Sequence, residues 1–260
     1  MTRRIPLAIA IAASLGGAAS AAQSRRAPTA DEAQVLTRFV NAITSTVARF
    51  ADENWEVEGG TFPEDAGDET LSAHPRLPLD DCIGGDRTWR VRSNSPLFNS
   101  RLLPLYERAK SLSEAMAANM AAGKSVSSER QELQRLNQQI RGINRVTLEV
   151  CGNSPNIGAD ALALDTPSIL PGLVAHKRPS DVCGGDVAAC YVLVYGDWKS
   201  ARLNASRDSY TYHFVNPAGS PYLENIVIRL KGADDRIQEM LKADWPRVAA
   251  ALGGPRPGRN

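Results

Sequence analysis

Residues 101–151 read RLLPLYERAKSLSEAMAANMAAGKSVSSERQELQRLNQQIRGINRVTLEVC, and the periodicity of this stretch decides the fold. Leu102, Leu105, Ala109, Leu112 and Met116 recur in steps of three and four, the spacing that lines one side of an α-helix. Gly123 breaks the run, and Ser128 with Gln131 has the spacing of a capping box for a second helix. Leu133, Leu136, Ile140 and Ile143 then repeat the same steps. Two helices joined by about five residues fold back on each other, which predicts an antiparallel helical hairpin over 101–145. A seam at this spacing is packing between helices rather than a ligand box. AGKS at the joint superficially matches a phosphate loop, but position 118 is Ala where that loop needs a glycine, and the joint links helix to helix.

RVTLEVC (145–151) alternates Val146, Leu148 and Val150 towards one face, as a strand does. TWRVRS (88–93) alternates in the same way ahead of the hairpin. Because the hairpin returns the chain to its starting end, the two strands can lie side by side and antiparallel. The expected class is therefore α+β, an antiparallel sheet with a long helical hairpin inserted between two strands.

On the N-terminal side, residues 31–55 carry Val35, Phe39, Ile43, Val47 and Phe50 at helical spacing, with Asp31 as the expected N-cap. WEVEGG (55–60) reads as a short strand, and 61–78, acidic with three prolines, as a loop. Residues 31–160 thus form a helix-rich lobe, and 161–180 a connector containing Pro167, Pro171 and Pro179. Residues 181–252 hold three strands, 191–198, 209–215 and 224–230, spaced for a three-stranded meander. Tyr191, Leu193 and Tyr195 fall on one face of the first, with Val192, Val194 and Trp198 on the other, so it reads as a central strand covered on both sides. A helix over 233–243 follows, then a short one begun by Asp244 with Pro246 near its start, and 253–260 is a disordered tail.

The first 22 residues stand apart. Arg3 and Arg4 form a basic head, 5–15 an apolar stretch too short to span a bilayer, and ASAA a small-residue cleavage site. This is the pattern of a secretory signal peptide cut after Ala22, leaving a flexible leader over 23–30 and no membrane span. Its removal leaves 28 basic against 29 acidic residues, with no basic cluster, which argues against nucleic acid as a partner.

Export implies an oxidising compartment, where the four cysteines read as two disulfides. The closest spacing, Cys183-x6-Cys190, is too wide for the paired ligands of a zinc site, and the C-x-x-C of thiol redox chemistry is missing. Cys82 precedes the first strand and Cys151 closes the second, at the same end of the ladder. The expected pairs are Cys82–Cys151 and Cys183–Cys190. They close loops of 70 and eight residues, for which chain entropy gives roughly 4.4 and 2.5 kcal/mol. The GGD sequences at 84–86 and 184–186 read as turns beside these bridges.

No nucleophile elbow, zinc-protease, dinucleotide or EF-hand motif is present, and no cofactor or metal is implied. His213 is the one histidine predicted within regular structure, and it could serve as a general base with Asp197 or Asp208 nearby. His74 and His176 fall in predicted loops. Tyr191, Tyr195, Trp198, Tyr210 and Tyr212 could form a stacking platform, although aromatics on strands pack in cores by default. The expected function is a disulfide-stabilised binding or interaction protein of the bacterial periplasm or envelope. It would use the hairpin or an open sheet face against a protein or cell-envelope partner. The alternative is a small periplasmic hydrolase centred on His213.

Overall fold

The structure, a computed structural model, describes residues 29–62, 83–162, 167–170, 173–184, 187–216 and 221–253. The expected signal peptide, most of the expected leader, Cys82, His74 and residues 254–260 lie outside them.

Helix α1 (Ala30–Val47) starts at Thr29 rather than Asp31. The Thr29 hydroxyl accepts from the Glu32 backbone N–H at 3.3 Å, while the Glu32 carboxylate accepts from the Thr29 N–H at 2.7 Å. This reciprocal capping box satisfies two N–H groups that a cap at Asp31 would leave open, and Asp31 sits instead in the first turn. The apolar stripe predicted for this helix, Val35, Phe39, Ile43 and Val47, is buried together with Phe50 in the turn that follows.

Strand β1 (Trp55–Gly60) pairs antiparallel with β2 (Ile83–Val91). A π-turn (Phe98–Leu102) leads into α2 (Leu103–Ala121), and α3 (Ser127–Asn144) returns directly into β3 (Arg145–Gly152). β2 and β3 are neighbours in the sheet, as the hairpin geometry required. Gly123, at φ 67°, ends α2 in a Schellman turn: its N–H bonds Met120 O at 3.0 Å, and the Lys124 N–H bonds Asn119 O at 2.9 Å. The capping box expected at Ser128 does not form. Val126 occupies the cap and is buried, and Ser128 lies inside the helix donating to Glu129 at 2.8 Å.

The remaining elements are β4 (Asn156–Gly158), β5 (Val174–Arg178), β6 (Ala189–Tyr195), β7 (Arg202–Leu203), β8 (Ser209–Thr211), β9 (Ile226–Gly232) and α4 (Asp234–Met240), followed by a 3-10 helix (Trp245–Ala251). Strands from both halves of the chain join one six-stranded sheet in the order β1-β2-β3-β9-β6-β5, every described pairing antiparallel. The C-terminal strands do not form a simple meander. β6 pairs directly with β9, while β8 leaves to form a small sheet with β4 and β7. Asn204 enforces the diversion. Its side chain accepts from the Asp208 and Ser209 N–H groups and donates to both side chains, folding β8 back on β7.

The first GGD is strand rather than turn. A Cβ on Gly84 would stand 2.1 Å from Val150 O, and one on Gly85 would stand 2.6 Å from Thr61 O, so the glycines admit backbone on either side. Asp86 then accepts from the Thr61 hydroxyl at 2.5 Å. In the second GGD only Gly184 is described, and it closes the turn Ser180–Cys183 with φ 95°.

One face of the large sheet carries Trp89, Val146, Leu148, Leu230, Tyr191, Leu193 and Tyr195 into the main core beneath α1, α4 and Trp245. The other face is apolar at Val192, Val194 and Val227, which form a second cluster with Trp198, Tyr212 and the cysteines Cys151, Cys183 and Cys190. Strand β6 is therefore buried along its whole length, covered on both sides. Across β1, β2 and β3 that second face is polar. Arg90 pairs with Glu56 and Glu58 at 3.2 and 3.5 Å, Arg145 pairs with Glu58 at 2.6 Å, and the Thr88 and Thr147 hydroxyls meet at 3.1 Å.

Candidate functional site

The predicted catalytic group is not assembled. His213 lies just past the end of β8, outside regular structure and exposed. Asp197 and Asp208 are exposed too, and among the described residues no hydrogen bond joins either to His213. Asp208 is occupied in the Asn204 turn, where hydrogen bonds from Asn204, Ser206 and Ser209 hold its carboxyl below the ordinary carboxylate range.

The aromatic candidates are core, which corrects the stacking-platform reading. Tyr191, Tyr195, Trp198 and Tyr212 are all buried, and Tyr210 is half-buried against the second cluster. Their polar atoms are spent internally, as burial demands. Tyr191 OH donates to Asp234 at 2.8 Å, Tyr195 OH to Trp245 O at 2.9 Å, Trp198 Nε1 to Tyr195 O at 3.1 Å and Tyr212 OH to Glu224 O at 3.1 Å. Burial pushes all three of those phenols above their usual range.

Cys183 and Cys190 are bonded to each other, as expected. Cys151 is also in a disulfide, and its expected partner Cys82 lies outside the described residues. Among the described residues no group of three or more His, Cys, Asp or Glu could hold a metal ion.

His176 was missed. Rather than lying in a loop it sits on the edge strand β5, buried, with its Nε2 unpartnered. The sequence held no clear signal for it: VAHKR runs from two apolar to three polar residues without alternating, between prolines and glycines that mark a loop.

The hairpin is the longest part of the described structure that is only lightly absorbed into the core. No α2 residue is buried, and α3 buries only Leu136 and Ile140, both in its second half. α2 packs chiefly on α3 and on its own leading turn, whereas α3 also reaches β2 and β9. Beyond Leu133 the pair therefore runs outward as an arm; at 1.5 Å per residue α2 is about 28 Å long. Its two helices are tied by Arg108–Glu132 at 2.6 Å and by Asn119 to Glu129 at 3.0 Å. Arg135 also grips Glu132 with two 2.7 Å hydrogen bonds, which hold the Glu132 carboxyl below its ordinary range.

The base of α3 is flanked by two clefts. One, of about 620 Å³, opens towards the polar sheet face between Asn137, Arg141 and Asn144 of α3, Arg145 and Thr147 of β3, and Lys231 of β9. The other, of about 600 Å³, lies between α2 and α3 on the opposite side and includes Leu105, Arg135, Gln139, Ile143 and Ala188. The Cys183–Cys190 loop supplies a wall to each, through Val187 and Ala188 respectively.

Comparison with protein-family models, curated proteins and solved structures finds no significant match to this chain.

Proposed function

We propose that this chain is an exported, disulfide-stabilised binding or interaction protein of the bacterial periplasm or envelope, with the α2–α3 hairpin as its contact arm. One observation carries the reading: α2, 19 residues long, fully buries none of its side chains, and its seam residues Leu105, Ala109, Leu112 and Met116 are only half-buried. Ordering such a helix costs on the order of 1–2 kcal/mol per residue in backbone entropy. An element that contributes so little to the core is explained by what it offers a second molecule. Leu103, Tyr106 and Met120 remain exposed on it as apolar contact area.

Export is supported by the basic–apolar–small pattern of residues 1–22 and by the Cys183–Cys190 bridge, a kind of bond typical of oxidising compartments and rare in reducing ones. Among the described residues no helix is long and apolar enough to cross a membrane.

Substitution of Arg135 and Gln139, both exposed on α3, tests the assignment. Native mass spectrometry of protein purified from its host periplasm should show a bound partner for the wild type and for His213→Ala. The partner should be missing from Arg135→Ala/Gln139→Ala, with the melting curve moved by no more than about 0.5 kcal/mol equivalent. Loss of function in His213→Ala, with the hairpin variant unaffected, would overturn the proposal.

A further inference from the structure

We infer that the cleft between α3 and the polar sheet face is a binding site for a small anionic ligand, one carrying a carboxylate or phosphate group together with further hydrogen-bond acceptors. This inference stands apart from the hairpin's role as a contact arm, which is tested at Arg135 and Gln139 on the opposite side of α3; of the exposed apolar residues on α2 only Tyr106 also borders this cleft.

The chemistry of the lining is one-sided. Arg141, Arg145 and Lys231 are cationic, Asn137, Asn144 and Thr147 supply amide and hydroxyl donors, and no described lining residue is acidic. All three cations are already engaged: Glu58 takes Arg145 at 2.6 Å and Glu149 takes Lys231, both from outside the lining, and Arg141 has an interaction of its own. A guanidinium has five N–H donors and an ammonium three, so each keeps donors in hand after its ion pair is made. The pairs also restrict the rotamers of Arg145 and Lys231, which lowers the entropy a ligand must remove. The volume, about 620 Å³, matches that of small-molecule sites, which commonly lie in the range of roughly 300–1,000 Å³.

The walls are fixed from three directions. Asn144 donates to Tyr106 OH at 3.4 Å across the hairpin, and Thr147 is held by Thr88 at 3.1 Å across the sheet. Gly142 lets the disulfide loop seat against α3, since a Cβ there would lie 3.1 Å from the Ala188 methyl. That contact sets Val187 at the cleft margin. Acceptor-rich anions satisfy such donors, whereas a cationic or purely apolar ligand leaves them unpaired.

Amide NMR of the isotopically labelled protein, titrated separately with inorganic phosphate and with citrate, reads the site directly. Saturable shifts are expected at Asn137, Asn144, Thr147 and Gly232 with at least one probe, weakening as sodium chloride is added. The probe that saturates identifies the anionic group. Arg141→Gln and Asn137→Ala, both at exposed helix positions, should each weaken binding by about tenfold without unfolding the protein. Arg135→Ala, across the helix, should leave the affinity unchanged. No saturable shift with either probe, or saturable shifts that survive both cleft substitutions at full affinity, would refute the assignment.

Discussion

His176 shows how a single side chain links burial to pH. It is buried on β5 with Nε2 unpartnered, and burial first, then the charge of Arg178, holds its pKa below the ordinary histidine value. The unfolded chain therefore takes up this proton before the folded one does. Stability is undiminished above about pH 6.5 and falls as the pH drops below that value, until the folded pKa is passed. Urea midpoints measured from about pH 7.5 to about pH 5 should fall more steeply for the wild type than for His176→Leu; parallel curves would remove His176 from the account. Residues like this one were the least legible in the sequence, because a residue's role depends on partners far along the chain. Arg236 binds Phe50 O at 2.7 Å and Asp52 at 2.8 Å across more than 180 positions, and nothing local announces that clamp. The same holds for Gly84 and Gly85, whose turn-like GGD context gives no sign of the backbone approaching on either side. His213 stood out for its place in an alternating run, but the chain leaves the small sheet after Thr211.

At the scale of elements, the hairpin divides into an anchored base and a projecting arm. Leu136 is fully buried at the base, whereas Met116 is only partly covered further out. Leu136→Ala should cost about 2–5 kcal/mol in chemical denaturation, and Met116→Ala less than about 1.5 kcal/mol. Amide exchange should agree, with residues 112–131 exchanging faster than those of β3. Equal costs at the two positions would mean that the arm is as integral to the fold as its base. Elements were largely legible, since their periodicity is local: both hairpin helices, α1 and the doubly covered β6 follow from spacing alone. Strand pairing was less so. The antiparallel neighbours β2 and β3 could be deduced because a compact hairpin joins them. The diversion of β8 could not, because it depends on the side-chain bonds of Asn204 and on β9 filling the place between β3 and β6.

The whole molecule is built on a six-stranded sheet whose two faces differ: one is closed over the main core, while the other is covered by a second apolar cluster at β6 and β9 and turns polar across β1, β2 and β3, beside the base of an arm that contributes little to either core. In the function proposed above, the two helices of 19 and 18 residues form this arm as a contact surface. Site-specific photocrosslinking in the intact host envelope tests that claim most directly. A photoreactive residue placed at Met120 or Gln139 on the hairpin should give discrete crosslinked species larger than the protein itself. The same residue at Asp208 or His213, on the opposite, C-terminal part of the sequence, should give none. Crosslinks confined to Asp208 and His213, with the hairpin positions silent, would contradict the account.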